Sequence, residues 1–140
     1  MAPVLISCGQ ETLGNASPQI ESFSGNEAVK LPLKKISDGK AHFFRYIHSG
    51  KEIKFFVLKS SDDIIRAAFD ACDVCWRAGL GYFQEKDTMV CRNCGRRFAS
   101  NRINEVEGGC NPAPLKRMIT EKNLEIKAAD IIAGARYFNL

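Results

Sequence analysis

The 140-residue sequence predicts a small, mainly antiparallel β-sandwich carrying a two-knuckle, four-cysteine metal site at one end. Three observations carry that expectation. Strand-like runs recur at roughly ten-residue spacing between Glu27 and Asp70, separated by turn-forming clusters. One of those runs, Ile53–Leu58, is apolar on both alternating faces, as a strand covered on both sides must be. Two Cys-x-x-Cys pairs, Cys72/Cys75 and Cys91/Cys94, stand fifteen residues apart.

In chain order, residues 1–25 are small and polar with no helical or strand period, and read as a leader or tether ahead of a domain at 26–140. Within the leader, Leu5-Ile6-Ser7-Cys8-Gly9 has the pattern of a bacterial lipoprotein cleavage site, which makes Cys8 a candidate for lipidation. A free thiol in a chance tetrapeptide is the alternative. Ala28–Leu33 begins the strand-rich part, and Ser37-Asp38-Gly39-Lys40 signals a turn. Ala41–Ile47 and Ile53–Lys59 flank His48-Ser49-Gly50-Lys51 as a hairpin, and Ile64–Asp70 follows a second turn at Ser60–Asp63. A further hairpin is expected between the cysteine pairs, with Glu85-Lys86-Asp87 at its tip. Pro114–Ile119 and Leu124–Lys127 form a closing hairpin, Ala128–Gly134 a short helix, and Ala135–Phe138 a final strand.

The cysteines carry the chemistry. A Cys-x-x-Cys turn aims both sulfurs at one centre, and two such knuckles supply the four thiolates that Zn²⁺, mononuclear Fe or an iron–sulfur cluster accepts. Cys72, Cys75, Cys91 and Cys94 are therefore the expected ligands, with zinc the default from spacing alone. Arg92, Arg96, Arg97 and Arg102 crowd the second knuckle, where Arg92 and Arg97 in particular could offset thiolate charge. Gly95 suits a tight backbone turn past the metal. Cys110, in Gly108-Gly109-Cys110-Asn111-Pro112, is a candidate near-site thiol or a small buried residue. Trp76 reads as an apolar lid, and His42 and His48 as structural residues.

Function classes narrow accordingly. No Ser–His–Asp set, phosphate-binding glycine loop or paired carboxylates appear, so no enzyme and no small-molecule substrate are expected. A net charge of +4 without long basic runs or interleaved aromatics argues against nucleic acid. No stretch approaches the roughly 20 apolar residues of a membrane-spanning helix.

Three motifs together resemble one bacterial family. They are Phe55–Ser61 leading through Ala68–Trp76, then Met89-Val90-Cys91-Arg92-Asn93-Cys94-Gly95-Arg96-Arg97-Phe98, then Gly108–Leu115. This combination is similar to the FtrD-like group of membrane iron–sulfur containing proteins over about residues 27–140. The resemblance implies an iron–sulfur centre on the cysteines, a membrane redox or iron-transport partner, and a place at the cell envelope outside the cytoplasm. A more distant likeness is to Rieske ferredoxins. Cys72 and Cys91 match their cysteines, Cys94 stands where a second histidine would be, and Cys75 lies one position past the first. Pro112–Lys116 resembles their closing strand. With thiolates replacing imidazoles, this likeness implies a [2Fe–2S] centre of low potential in an electron-transfer domain. A zinc-ribbon-like structural or binding module is the reading from another class.

Overall fold

The computed structural model describes residues 20–139, so Cys8 lies outside the described residues. The described residues form ten strands: β1 (Glu21–Ser24), β2 (Val29–Pro32), β3 (His42–His48), β4 (Lys51–Lys59), β5 (Ile65–Phe69), β6 (Tyr82–Glu85), β7 (Thr88–Cys91), β8 (Arg97–Ala99), β9 (Met118–Ile119) and β10 (Asn123–Ile126). Two short helices, α1 (Leu33–Ile36) and α2 (Ala128–Ile132), accompany them. The strands make three sheets, ordered β1-β3-β4-β5, β2-β10-β9 and β6-β7-β8. Every pairing is antiparallel except that of β1 with β3.

The four-stranded sheet is the middle layer, and the alternation of β4 explains why. Ile53, Phe55 and Val57 pack into one core with Val29 and Leu31 of β2 and Leu124 and Ile126 of β10. Phe56 and Leu58 point the other way, into a second core with Tyr82, Met89 and Cys91 of the β6-β7-β8 sheet. A strand apolar on both faces must be covered on both, and here one sheet does so on each side. The expected sandwich is thus a three-layer arrangement whose outer layers are each three short strands.

Three segments differ from the sequence expectation, one being Pro114–Ile119, of which only Met118–Ile119 pairs with β10 while Pro114 bridges to Ala68. Glu21–Ser24, within the stretch read as a leader, is a sheet strand: Phe23 aligns with Tyr46 in register and its ring lies 6.0 Å from that of Phe44. Phe23 is the only large apolar residue of these four, which leaves no period to detect. Ala135–Phe138, expected as a strand, is instead a 3₁₀ turn, closed by the Tyr137 N–H donating to Gly134 O at 3.1 Å. Its one buried side chain, Tyr137, turns inward, with its ring 5.9 Å from that of Phe69.

A buried charge braces the second core. Arg66, on β5, is only 2% exposed. Its guanidinium donates to Ser60 Oγ, Ile103 O, Glu105 Oε1 and Asp62 Oδ2 at 2.7–3.0 Å. Asn104 adds a two-way link to β5, its Oδ1 accepting from Ala67 N and its Nδ2 donating to Ala67 O. Together they fasten the 103–105 segment, which leads to Cys110, onto the middle sheet. Among the described residues no helix is long and apolar enough to cross a membrane.

Two stability measurements test these assignments. Phe23→Ala is expected to lower unfolding free energy by about 1–2 kcal/mol in a urea melt; an unchanged midpoint would place β1 outside the cooperative unit. Arg66→Met keeps the stem but strands two backbone and hydroxyl acceptors. It should cost about 2–4 kcal/mol, and a neutral outcome would mean that the loop is held by something other than this guanidinium.

Candidate metal centre

The first knuckle follows β5 directly. Cys75 N–H donates to Cys72 Sγ at 3.1 Å, the local bond that curls a Cys-x-x-Cys turn around its own sulfur. A single 3₁₀ turn, Trp76–Ala78, carries the chain away and ends on Gly79 in the left-handed region. The second knuckle leaves β7. Cys91 N–H donates to Arg96 O at 2.9 Å and Gly95 N–H to Cys91 O at 2.8 Å, with Gly95 at φ +74. Gly95 occupies the tight turn expected of it.

A third segment joins these two. Gly108 and Gly109 both have positive φ, and the chain then runs back beside β5: Ala113 N–H donates to Ala71 O, and Phe69 N–H to Ala113 O. Pro114 bridges to Ala68. This alignment carries Cys110 to the first knuckle, where its carbonyl accepts the Tyr82 hydroxyl at 2.6 Å.

The result is two sets of three sulfurs. Cys72, Cys75 and Cys110 lie within 4.8 Å of one another, and so do Cys75, Cys91 and Cys94. Cys75 belongs to both, and its Sγ is 3.7 Å from Cys110 Sγ. Two sulfurs bound to one tetrahedral ion at ~2.3 Å lie ~3.8 Å apart, so the spacing is that of thiols facing a common centre and not of a disulfide. All five cysteines of the described residues are free. Five soft donors converging from three segments fit a thiophilic metal or an iron–sulfur group. Cys72, Cys91 and Cys110 are buried, Cys75 is half-buried and Cys94 is exposed, so the cluster reaches the surface at one corner.

The thiols are unequal. Burial pushes Cys110 up to about 12 and Cys91 up to about 11, with neighbouring thiols adding to the rise. At Cys94 burial works in the same direction but is overcome by hydrogen bonds from Arg96 N–H and the Cys110, Cys91 and Cys75 thiols, which bring it down to about 7. Cys94 is thus nearer to thiolate form at neutral pH than Cys91 or Cys110.

One dipeptide clamps the knuckles together. Tyr82 N–H donates to Asp70 Oδ1 at 2.7 Å, two residues before Cys72, while Gly81 O accepts Arg92 N–H at 3.0 Å, next to Cys91. Asp70 is held up at about 6, chiefly by burial, against the pull of Tyr82 N–H and the Lys54 and Arg92 charges. Asp73, inside the first knuckle, accepts the Tyr137 hydroxyl at 2.6 Å, tying the C-terminal turn to the site. Asp70 and Asp73 are therefore the site's anchors. Nothing in a single sequence marks them, because their partners lie 12 and 64 residues away.

The remaining sequence candidates divide. Arg92 lies 4.9 Å above the Phe83 ring, whereas Arg97 is paired with Glu85 at 2.9 Å. Trp76 is half-buried and lines, with Cys72, Cys75, Cys91, Asp70 and Tyr137, a cleft of about 330 Å³ beside the sulfurs. Neither His42, held by Asp38 at 2.8 Å, nor His48 joins the sulfur sets.

Comparison with known proteins adds one decisive match. The model of the FtrD-like family, membrane iron–sulfur containing proteins, aligns with residues 36–138. The chain belongs to the FtrD-like family. That span takes in β3, β4 and β5 of the middle sheet, both knuckles and Cys110, so the family description of an iron–sulfur protein falls on a region that holds five converging thiols. No curated protein and no solved structure matches the chain.

The clamp is open to a paired substitution. Gly81 sits at φ +68, and a Cβ there would come within 2.5 Å of the Asp70 carboxylate; Gly95 has φ +74 but open space around it. Gly95→Ala should cost only the backbone strain, about 1 kcal/mol, and Gly81→Ala about 2–4 kcal/mol. Equal losses in thermal melts would show that the Gly81–Asp70 contact does not tie the knuckles.

Proposed function

We propose that this FtrD-like chain is an electron-transfer domain, carrying a [2Fe–2S] centre and serving a redox or iron-transport protein of the bacterial membrane from the extracytoplasmic side. The observation that supports this reading most is the convergence of five thiols at a surface corner, on a chain whose family is described as membrane iron–sulfur proteins. An iron–sulfur group supplies one-electron chemistry, which neither the thiols nor the surrounding side chains can perform alone.

The chain's own residues are suited to that role in three ways. The cysteines come from segments pinned to a rigid sheet, so little rearrangement is needed when the charge of the site changes. Phe56, Tyr82 and Phe98 pack behind the sulfurs and keep water from that side. Arg92, beside the second knuckle and in no salt bridge among the described residues, favours added negative charge. We read the domain as a carrier, with Asp70 and Asp73 serving as hydrogen-bond acceptors for Tyr82 and Tyr137.

Anaerobic purification with metal and acid-labile sulfide analysis tests the proposal. Iron and sulfide in equal amounts, absorption at ~400–550 nm and bleaching by dithionite are expected. In a potentiometric titration Arg92→Gln should lower the midpoint by some tens of millivolts, less at high salt, and Arg97→Gln by less because Glu85 already offsets its charge. Colourless, zinc-loaded protein with no reducible centre would refute the electron-transfer role and leave a structural zinc module.

A further inference from the structure

The two sulfur sets share a member, and a single metal ion does not account for them. One tetrahedral ion takes four thiolates, and the doubled Cys-x-x-Cys motif by itself would fill it. Yet Cys110 is not a bystander. Its sulfur is 3.7 Å from Cys75, it lies within 4.8 Å of Cys72 as well, and its carbonyl is fixed by the Tyr82 hydroxyl. The glycine pair before it and the bridge of Pro114 to Ala68 deliver it to this place by backbone geometry. Resting on the reading that these cysteines hold metal, we infer that the site has two metal positions, one among Cys72, Cys75 and Cys110 and the other among Cys75, Cys91 and Cys94, with the Cys75 sulfur common to both.

Charge favours the same arrangement. Five thiolates around one divalent ion leave a formal charge of about −3, whereas two divalent ions reduce it to about −1. The difference matters where three of the five cysteines are buried, because uncompensated charge there is costly. Two positions also suit a dinuclear site in which Cys72 and Cys110 would face one metal, Cys91 and Cys94 the other, and Cys75 would bridge them. On this assignment each Cys-x-x-Cys pair stays within one set, Cys75 links the two, and Cys110 supplies what the sequence motif lacks.

Cadmium, a thiophilic divalent ion with an NMR-active isotope, provides a probe independent of cluster assembly. The full chain carrying Cys8→Ser, whose only thiols are the five, would be titrated with ¹¹³Cd²⁺ under reducing conditions. The inference predicts saturation at two equivalents and two ¹¹³Cd resonances in the thiolate region, coupled to each other through the shared sulfur. Adding Cys110→Ser should reduce the stoichiometry from two to one, since four thiols then remain. Cys94→Ser should perturb mainly one resonance and Cys75→Ser both. Saturation of the five-thiol protein at one equivalent with a single resonance would overturn the two-position site while leaving metal binding intact. Failure to bind cadmium at all would overturn the metal-binding reading with it. The five-thiol titration decides the matter even if a cysteine variant does not fold.

Discussion

Bringing five sulfurs within a few ångströms of one another is the constraint on which the rest of this structure depends. Buried thiols resist ionisation, as Cys110 and Cys91 show, and thiolates repel one another, so the cluster cannot be its own source of order. The scaffold must hold the backbone in place first. It does so with β5, whose end becomes the first knuckle and whose edge receives the returning 110–114 segment. It does so again with β7, which ends on Cys91. The middle sheet is thereby loaded from both sides, and the two-faced apolar β4 is the strand that makes such loading possible.

Around that frame the polar contacts are economical. Gly81 and Tyr82 reach to Asp70 on one side and Arg92 on the other, and the Tyr82 hydroxyl reaches on to Cys110. One dipeptide therefore touches all three cysteine segments. Arg66 acts further out, fixing the 103–105 loop before the chain turns toward Cys110. The exposed corner at Cys94, the lowered thiol, is the side from which an ion could approach.

Much of this was legible in the sequence, and the limits are physical. The β3–β4 hairpin, β5 and the β6–β7 hairpin announce themselves by alternation and turn residues, and the doubled Cys-x-x-Cys spacing announces the centre. β1 was hidden because a four-residue strand with one inward aromatic has no period. The 3₁₀ turn at Ala135–Phe138 was hidden because Tyr137 and Phe138 are as compatible with a strand as with a turn. The anchoring roles of Asp70, Asp73 and Tyr82 depend on partners brought together by tertiary structure, and local pattern carries no trace of them. Cys110 is intermediate: its glycine-rich, proline-rich setting signalled a constrained loop, but only the pairing of that loop with β5 tells which thiols it joins.

The central claim is that three chain segments meet at one metal centre on a scaffold that stands without it. Hydrogen exchange measured by mass spectrometry, on metal-loaded protein and after chelation under reducing conditions, tests it most directly. The account predicts that residues 72–79, 91–96 and 108–112 lose protection together when metal is removed, while β3, β4 and β5 keep theirs. Loss confined to the two Cys-x-x-Cys loops, with the Cys110 segment unchanged, would contradict it.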